Sequence, residues 1–396
     1  MEKRKIVIIG GGSAGISTAA KLLKDFKAED IVIIEPMEVH YYQPLWTLVG
    51  GGVSSLQETV RPMASVIPDG VLWKKDKVVG FKPDENIVIL GSGQEINYEL
   101  LLVAPGLQLD WNKIEGLTET LGKNGVCSNY DFHQAEYTWK TIDSFSGGTA
   151  IFTFPSTPIK CAGAPQKIMW LAEETFRNKG IREKSRVIFL SAGASIFGIP
   201  KYKAALDKLI KERGIEEFYH YDLVKIDAAN KIAVAKNLES GEVMELKFDM
   251  IHVTPHMSAP DFIKESALST GDALGYVDVD KFTMQHNKFP NVFSIGDASS
   301  LPCSKTGAAI RKQVPLCAKN MYQVYAGQKP THLYNGYASC PLVVDRHHVI
   351  LAEFGYDGKI METFPFDQAK PRRSMYFLKK ELLPPMYWNL MLKGRA

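Results

Sequence analysis

The sequence predicts an α/β fold made of two Rossmann-like domains followed by an amphipathic C-terminal segment. A β-branched run at residues 5–9 ends in glycines, and a small-residue helix pattern follows over residues 13–24. A similar strand at 186–190 starts a second βαβ half, with a helix pattern at about 201–213. From Ser374 onward, aromatic and aliphatic residues are interspersed with lysines.

The first βαβ unit is completed by an apolar run at residues 31–34, close to the ~30 residues such a unit needs, so both strands are predicted to be parallel neighbours. Further strands are predicted at 86–90, 100–104, 149–154, 249–254 and 292–297. The predicted domains are residues 1–110 with 270–325, residues 111–269, and a C-terminal region of residues 326–396.

The composition narrows the classes of function. The 396 residues include 45% hydrophobic and 23% charged residues, typical of a globular protein of two or three domains. A net charge of +3 gives no basic field for a polyanion, so nucleic-acid binding is not favoured. Five cysteines without CxxC or zinc-like spacing predict neither a disulfide framework nor a metal site.

Membrane contact is expected to be peripheral, because no run approaches the roughly 18 to 20 apolar residues that span a bilayer. The first strand begins so close to Met1 that no signal or transit peptide is expected. The expected location is the cytoplasmic face of a bacterial inner membrane, or the mitochondrial inner membrane if a transit peptide is missing from this chain.

A dinucleotide site is predicted where the first strand meets the first helix. Residues 10–15 fit GxGxxG, and Glu35 ends the next strand, placed to bind an adenosine ribose. The glycines allow a tight turn, approach to a pyrophosphate and close helix packing, and the phosphates meet the helix N-terminus. The predicted binding residues are Gly10, Gly12, Ser13, Ala14, Gly15 and Glu35.

Two distant segments favour FAD as that dinucleotide. Residues 98–106 and 291–297 look like the two strands that return to the flavin domain in two-dinucleotide flavoproteins, although Pro105 departs from the usual Ala-Thr-Gly ending. Gly106 and Asp297 are the predicted contacts, with Asp297 facing the ribityl chain.

A second dinucleotide motif, expected for NAD(P)H in such proteins, is degraded. In residues 190–198, Ser191 and Ile196 occupy the outer glycine positions, where a side chain would crowd a pyrophosphate or the helix packing. A nicotinamide site is therefore not expected, and the flavin needs another two-electron donor.

Two cysteines are candidates for that chemistry. Cys161 follows Lys160, a cation that would favour thiolate, and precedes the small residues Ala-Gly-Ala. Cys340 lies in Tyr-Ala-Ser-Cys-Pro. The alternative for any cysteine is a buried, inert side chain, which is favoured for Cys303 and Cys317 and, on local sequence, for Cys127.

Several runs resemble sulfide:quinone oxidoreductases, particularly the mitochondrial-type branch, and together they span nearly the whole chain. They are residues 42–48, 152–167, 337–342, 362–368 and 374–376. The resemblance implies a redox-active Cys161–Cys340 pair that takes electrons from sulfide and passes them through FAD to ubiquinone or menaquinone. It implies a persulfide on Cys161, electron delivery to flavin by the Cys340 thiolate, and a small-molecule sulfur acceptor.

The same resemblance implies FAD contacts at Gln43, Val78 and Lys305, the last placing positive charge near reduced flavin. Cys127 falls where some branches carry another functional cysteine, so a catalytic role is possible there. Type II NADH:quinone oxidoreductases share the flavin fold and a membrane tail, and are the nearest alternative; a flavin redox sensor is another. A homo-oligomer is compatible with the sequence.

The C-terminal segment is predicted to lie in a membrane interface and to border the quinone, in two short pieces divided by Pro384 and Pro385. The residues predicted for this contact are Phe377, Leu378, Met386, Tyr387, Trp388 and Met391. The alternative is a helix pair packed on the protein's own core.

Overall fold

The computed structural model describes residues 1–396 and confirms the α/β fold, with two main sheets flanked by helices. The first sheet contains seven strands. Six run in the spatial order Leu72–Lys74, Ile31–Ile34, Glu2–Ile9, Glu95–Val103, Ile87–Leu90 and Val78–Lys82, and Val292–Ser294 pairs in parallel with the end of Glu95–Val103.

The first strand, Glu2–Ile9, lies between two parallel neighbours, and its side chains Ile6, Val7 and Ile8 are fully buried. A strand that is covered on both faces has a continuous run of apolar residues, which explains the β-branched run at residues 5–9. The helix Ser13–Leu22 follows after a short glycine turn. The glycine-rich turn therefore lies at the carboxyl end of the sheet, where ligands of open α/β sheets bind.

The second sheet is parallel and has five strands, in the spatial order Val126–Cys127, Met250–His252, Gly148–Phe154, Ser185–Ser191 and Glu216–Tyr219. Its helices are Phe132–Ser144, Ala164–Asn178 and Pro200–Arg213. An antiparallel sheet of Tyr221–Asp227, Ile232–Asn237 and Val243–Lys247 follows. This arrangement gives the second predicted unit its own sheet and its own core.

Further elements lie outside the two main sheets. The strands Ala338–Val343 and Val349–Phe354 form a hairpin that carries Cys340, and the long helix Gly307–Tyr325 packs against Ser13–Leu22. Two short antiparallel pairs are Val39–Tyr41 with Val60–Pro62 and Gln108–Asp110 with His256–Ser258. Short helices are Trp46–Gly50, Met63–Val66, Leu117–Thr120 and Asp261–Lys264.

The C-terminal segment differs from the expected two pieces, because it is helical without a break from Arg373 to Met391. Its successive parts are the α-helix Arg373–Phe377, the π-helix Leu378–Leu382, the α-helix Leu383–Met386 and the π-helix Tyr387–Met391. Pro384 and Pro385 sit in the first turn of Leu383–Met386, where a missing N–H group costs little. No helix of the structure combines the length and the apolar character needed to cross a bilayer.

Candidate active site

The predicted dinucleotide loop connects Ile9 to the helix beginning at Ser13. A Cβ atom at Gly15 would lie 1.9 Å from the Gly10 carbonyl oxygen, so only glycine allows this helix to approach the strand so closely. A Cβ atom at Gly12 would meet nothing within 4 Å. The loop is thus packed on the protein side and open at Gly12, where a pyrophosphate would approach the helix N-terminus.

Glu35 lies beside this loop at the end of strand Ile31–Ile34. Its Oε2 atom accepts a hydrogen bond of 2.8 Å from the Gly11 N–H, and Oε1 accepts one of 2.8 Å from the Met37 N–H. Burial raises the pKa of Glu35, and these two backbone bonds oppose the effect. Each oxygen has a further lone pair, so the carboxylate can also accept from ribose hydroxyls.

The other predicted flavin contacts lie on separate elements. Val78 is buried at the start of its strand, and Gly106 has a φ of +83° in the loop after Glu95–Val103. The Lys305 ammonium donates hydrogen bonds to the carbonyl oxygens of Asp297 at 2.8 Å and Ser299 at 3.0 Å. Burial raises the pKa of the Asp297 carboxyl, while the cations Lys305 and Lys160 oppose this shift. Lys305 therefore lies next to Asp297.

The degraded second motif has a different backbone arrangement. The strand ends at Ser191 and the next helix begins only at Pro200, so strand and helix are not joined by a tight turn. The Gly193 N–H donates a hydrogen bond of 3.1 Å to the Ser191 hydroxyl, and Ile196 is buried. The N–H of Gly193, the central glycine, is therefore bonded to the side chain of Ser191. Ser191 occupies a position where the intact motif has glycine.

The two candidate cysteines, 179 positions apart, meet beside the core of the second sheet, to which Cys340 belongs and against which Cys161 packs. The Sγ atoms of Cys161 and Cys340 are 3.7 Å apart. A disulfide has an S–S distance of about 2.05 Å, so a shift of less than about 2 Å would join them. Cys340 is buried on its hairpin, and a Cβ atom at Gly163 would lie only 2.4 Å from its sulfur. The small residues after Cys161 therefore make room for the second sulfur.

The backbone at Cys161 is unusual, because its φ is +56°, in the left-handed region that non-glycine residues rarely adopt. Its N–H donates a hydrogen bond of 2.8 Å to the Lys305 carbonyl, and its carbonyl accepts one of 2.8 Å from the Ala164 N–H at the start of the next helix. These bonds hold the strained residue. They also join the cysteine loop to the predicted flavin-binding loop around Lys305.

A buried lysine absent from the sequence predictions contacts the pair. The Lys167 Nζ atom lies 3.0 Å from the Cys161 sulfur, and its side chain is 4% exposed. Lys160, the cation predicted for this role, instead donates 2.8 Å to the Gln43 Oε1 atom and lies over the Trp46 ring at 5.2 Å. Lys160 is thus held by Gln43 and Trp46, whereas Lys167, in the first turn of the helix Ala164–Asn178, contacts the sulfur.

These contacts give the two thiols opposite acidities. The pKa of Cys161 lies well below its usual range because its thiolate accepts a hydrogen bond from Cys340 and is attracted by the Lys167 ammonium, which together outweigh burial. The pKa of Cys340 is raised well above its usual range by that same hydrogen bond, by burial and by the Cys161 charge. Cys161 is therefore the thiolate of the reduced pair.

The C-terminal segment places another buried amine, that of Lys379, near the two cysteines. Lys379 donates a hydrogen bond of 2.9 Å to the Pro44 carbonyl. Burial, reinforced by repulsion from Lys167, lowers the pKa of Lys379 to about 7, against attraction from Cys161 and Cys340. An amine with this pKa exchanges protons readily at neutral pH.

The third candidate cysteine is placed differently. Cys127 is fully buried at the edge of the second sheet, and its thiol contacts the Ile251 carbonyl at 3.5 Å. Burial raises the pKa of Cys127 to about 12, so this residue stays protonated at neutral pH.

The six predicted membrane or quinone residues face in different directions. Phe377 is 55% exposed, whereas Tyr387 and Met391 are each 4% exposed and pack in the core of the first domain. Leu378, Met386 and Trp388 are half-buried. Tyr387 and Met391 thus face protein, because one side of the helical segment packs against the core around the first sheet.

The chain is similar to known proteins over nearly its whole length. Residues 4–140 match the pyridine nucleotide-disulphide oxidoreductase family. The mitochondrial sulfide:quinone oxidoreductase of Mus musculus is 46% identical over 98% of this chain and 86% of its own length. That of Dictyostelium discoideum is 49% identical over 99% of this chain and 86% of its own length. The chain belongs to the sulfide:quinone oxidoreductase family.

A solved structure shows the same fold. The sulfide:quinone oxidoreductase of Aquifex aeolicus superposes with a TM-score of 0.84 at 19% identity, covering 99% of this chain and 92% of that one. FAD is the cofactor of this family member. The open space at Gly12 and the free acceptor positions of Glu35 fit its pyrophosphate and ribose.

Proposed function

We propose that the protein oxidises hydrosulfide at the Cys161–Cys340 pair and passes two electrons through FAD to a membrane quinone. The observation that carries this proposal is the meeting of two sulfur atoms at 3.7 Å with a buried ammonium 3.0 Å from one of them. The names of the relatives supply the substrates, sulfide and quinone.

The acidities favour one direction of attack on the oxidised pair. In thiol exchange the more acidic thiol leaves faster. Hydrosulfide therefore bonds to the Cys340 sulfur, the S–S bond breaks, and Cys161 leaves as a thiolate beside Lys167. The persulfide forms on Cys340, the reverse of the assignment that the family resemblance implied from sequence.

The cycle closes in two further steps. A small nucleophilic acceptor takes the outer sulfur of the persulfide and leaves Cys340 reduced. Re-formation of the Cys161–Cys340 disulfide then releases two electrons, which would leave through FAD, when it is bound, to ubiquinone or menaquinone. Lys167 stabilises the negative charge of Cys161 while the pair is open, and Lys379, with its pKa of about 7, can take up or supply the accompanying proton.

Gln43, Val78, Gly106, Asp297 and Lys305 are proposed to complete the FAD site around the loop at Gly10–Gly15. FAD supplies the reversible two-electron chemistry when bound, and the protein orients it. Lys305 and Lys160 flank Asp297 and would favour negative charge on the cofactor next to them.

Anaerobic spectroscopy of the purified holoenzyme tests the reaction. Sulfide should bleach the flavin absorption, and decylubiquinone should restore it. Because the Gly193 N–H is bonded to Ser191, NADH should leave the spectrum unchanged. Bleaching by NADH but not by sulfide would favour a type II NADH:quinone oxidoreductase instead, and bleaching by neither reagent would favour a redox sensor.

The exposed side of the C-terminal segment is proposed to rest on a membrane surface, that of a mitochondrial inner membrane or the cytoplasmic face of a bacterial one. Phe377, Leu382 and Leu390 are 55%, 47% and 42% exposed. The exposed cations Lys393 and Arg395 lie near the end of the same segment and suit anionic lipid.

Replacing Phe377, Leu382 and Leu390 together with serine should release the protein from anionic liposomes, because these side chains supply exposed apolar area. Co-sedimentation should fall at least about tenfold. The matched control is Val243→Ser, which removes an apolar side chain that is 60% exposed on the antiparallel sheet. Equal binding of the triple variant and the control would remove this surface from the proposal.

A further inference from the structure

A hydroxyl group of the C-terminal segment is bonded directly to the dinucleotide loop. The Tyr387 hydroxyl lies 2.7 Å from the Ser13 hydroxyl and 2.5 Å from the Nε2 atom of His40. The Nδ1 atom of His40 lies 2.9 Å from the Gly11 carbonyl oxygen. One side chain near the end of the chain is therefore connected to two residues of the glycine-rich loop.

The direction of each hydrogen bond in this series is set by the Gly11 carbonyl at one end. A carbonyl oxygen only accepts, so the His40 Nδ1–H group donates to Gly11. Burial lowers the pKa of His40 to about 4, so the ring is neutral at pH 7 and its Nε2 atom accepts from the Tyr387 hydroxyl. The Tyr387 oxygen is then free to accept from Ser13. The Tyr387 hydroxyl, both His40 ring nitrogens and the Gly11 carbonyl are therefore all hydrogen-bonded.

The surroundings make this contact a fixed one. Tyr387 is 4% exposed, and its ring packs on the Tyr42 ring at 4.5 Å and the His40 ring at 5.8 Å. The segment is also attached beyond Tyr387, where Lys21 donates 3.1 Å to the Gly394 carbonyl. In such buried surroundings a lost hydrogen-bond partner is not replaced by bulk water, which raises the free-energy cost of breaking these hydrogen bonds.

We propose that Tyr387 is a positioning residue of the FAD site. Through Ser13 and through His40 it fixes Gly11 and the first turn of the helix in the arrangement that receives the pyrophosphate. A preorganised loop loses less conformational entropy when the dinucleotide binds. This inference rests on FAD occupying the N-terminal loop and not on sulfide as electron donor, so the two can fail separately.

The test compares Tyr387→Phe with the wild-type protein by FAD release from the holoenzyme, followed by flavin fluorescence on dilution. Phenylalanine keeps the ring packing and removes only the hydroxyl. Two hydrogen bonds are lost, so the FAD dissociation constant should rise about tenfold. The matched control is Tyr98→Phe, whose hydroxyl is buried without a partner, and it should leave the constant unchanged.

A second measurement separates positioning from a general loss of stability. Ser13→Ala should weaken FAD binding, and adding Tyr387→Phe to it should cost less than Tyr387→Phe alone, because part of the same chain is already broken. If Tyr387→Phe lowers the unfolding temperature of the FAD-free protein without changing the FAD dissociation constant, the residue is only structural and the proposal is wrong. Full additivity with Ser13→Ala would also overturn the proposed path.

Discussion

Cys161→Ser and Cys340→Ser should each abolish the bleaching of the flavin by sulfide, with a loss of at least about 1,000-fold in rate. Neither variant can form the disulfide that hydrosulfide attacks, since that bond needs both of the sulfur atoms that lie 3.7 Å apart. Residues that act as one unit are not additive, so the double variant should be no worse than either single one. Anaerobic stopped-flow absorption measures all three rates.

The control for these variants is Cys303→Ser, because the half-buried Cys303 lies outside the pair and serine can still accept the hydrogen bond from Gln313. Its bleaching rate should stay near that of the wild-type protein. Normal turnover of sulfide by both Cys161→Ser and Cys340→Ser would rule out the cysteine mechanism altogether.

The same two variants also test which cysteine carries the charge. In Cys340→Ser, the remaining Cys161 keeps the Lys167 ammonium at 3.0 Å and should react with iodoacetamide at neutral pH. In Cys161→Ser, the remaining Cys340 is 1% exposed and buried, so it should stay protonated and react slowly. The opposite order of reactivity would return the persulfide to Cys161.

The first domain was predictable because its signals are local. A buried parallel strand next to a glycine turn and a small-residue helix leaves a continuous pattern, and the structure has these elements at Glu2–Ile9 and Ser13–Leu22. The Cys161–Cys340 pair was not predictable from physical reasoning alone, because no local pattern connects residues 179 positions apart. Only the family resemblance placed them together.

Two residues show where sequence patterns mislead. Lys160 is the neighbour of Cys161 in sequence, but its ammonium is bonded to Gln43, and Lys167 lies beside the sulfur instead. The available signal was a second lysine six residues after Cys161, at the end of the run that resembles the family. Tyr387 looked like an interfacial aromatic residue, since an amphipathic helix has the same pattern whether its apolar side meets lipid or protein. Its burial against His40 depends on tertiary packing.

Lys167→Gln should slow the reduction of flavin by sulfide about 10- to 100-fold at pH 7. Glutamine has a similar length but no charge, so the leaving Cys161 thiolate loses its buried counter-ion. A hydrogen bond to a charged group contributes about 1.5–3 kcal/mol, which corresponds to this range of rates. Lys167→Arg restores a cation at the same position and should recover much of the loss.

The pH dependence distinguishes loss of charge from loss of packing. In the wild-type protein the hydrogen bond from Cys340 and the Lys167 ammonium lower the pKa of Cys161, so its thiolate is protonated only at a lower pH than an ordinary thiolate. Without the ammonium that pKa rises, and the acidic limb of both the alkylation profile and the rate profile should move to higher pH. Raising the pH should then partly restore Lys167→Gln. A slow variant whose alkylation profile is unchanged would show that Lys167 only packs beside Cys161, and the Cys340 persulfide would lose its electrostatic basis.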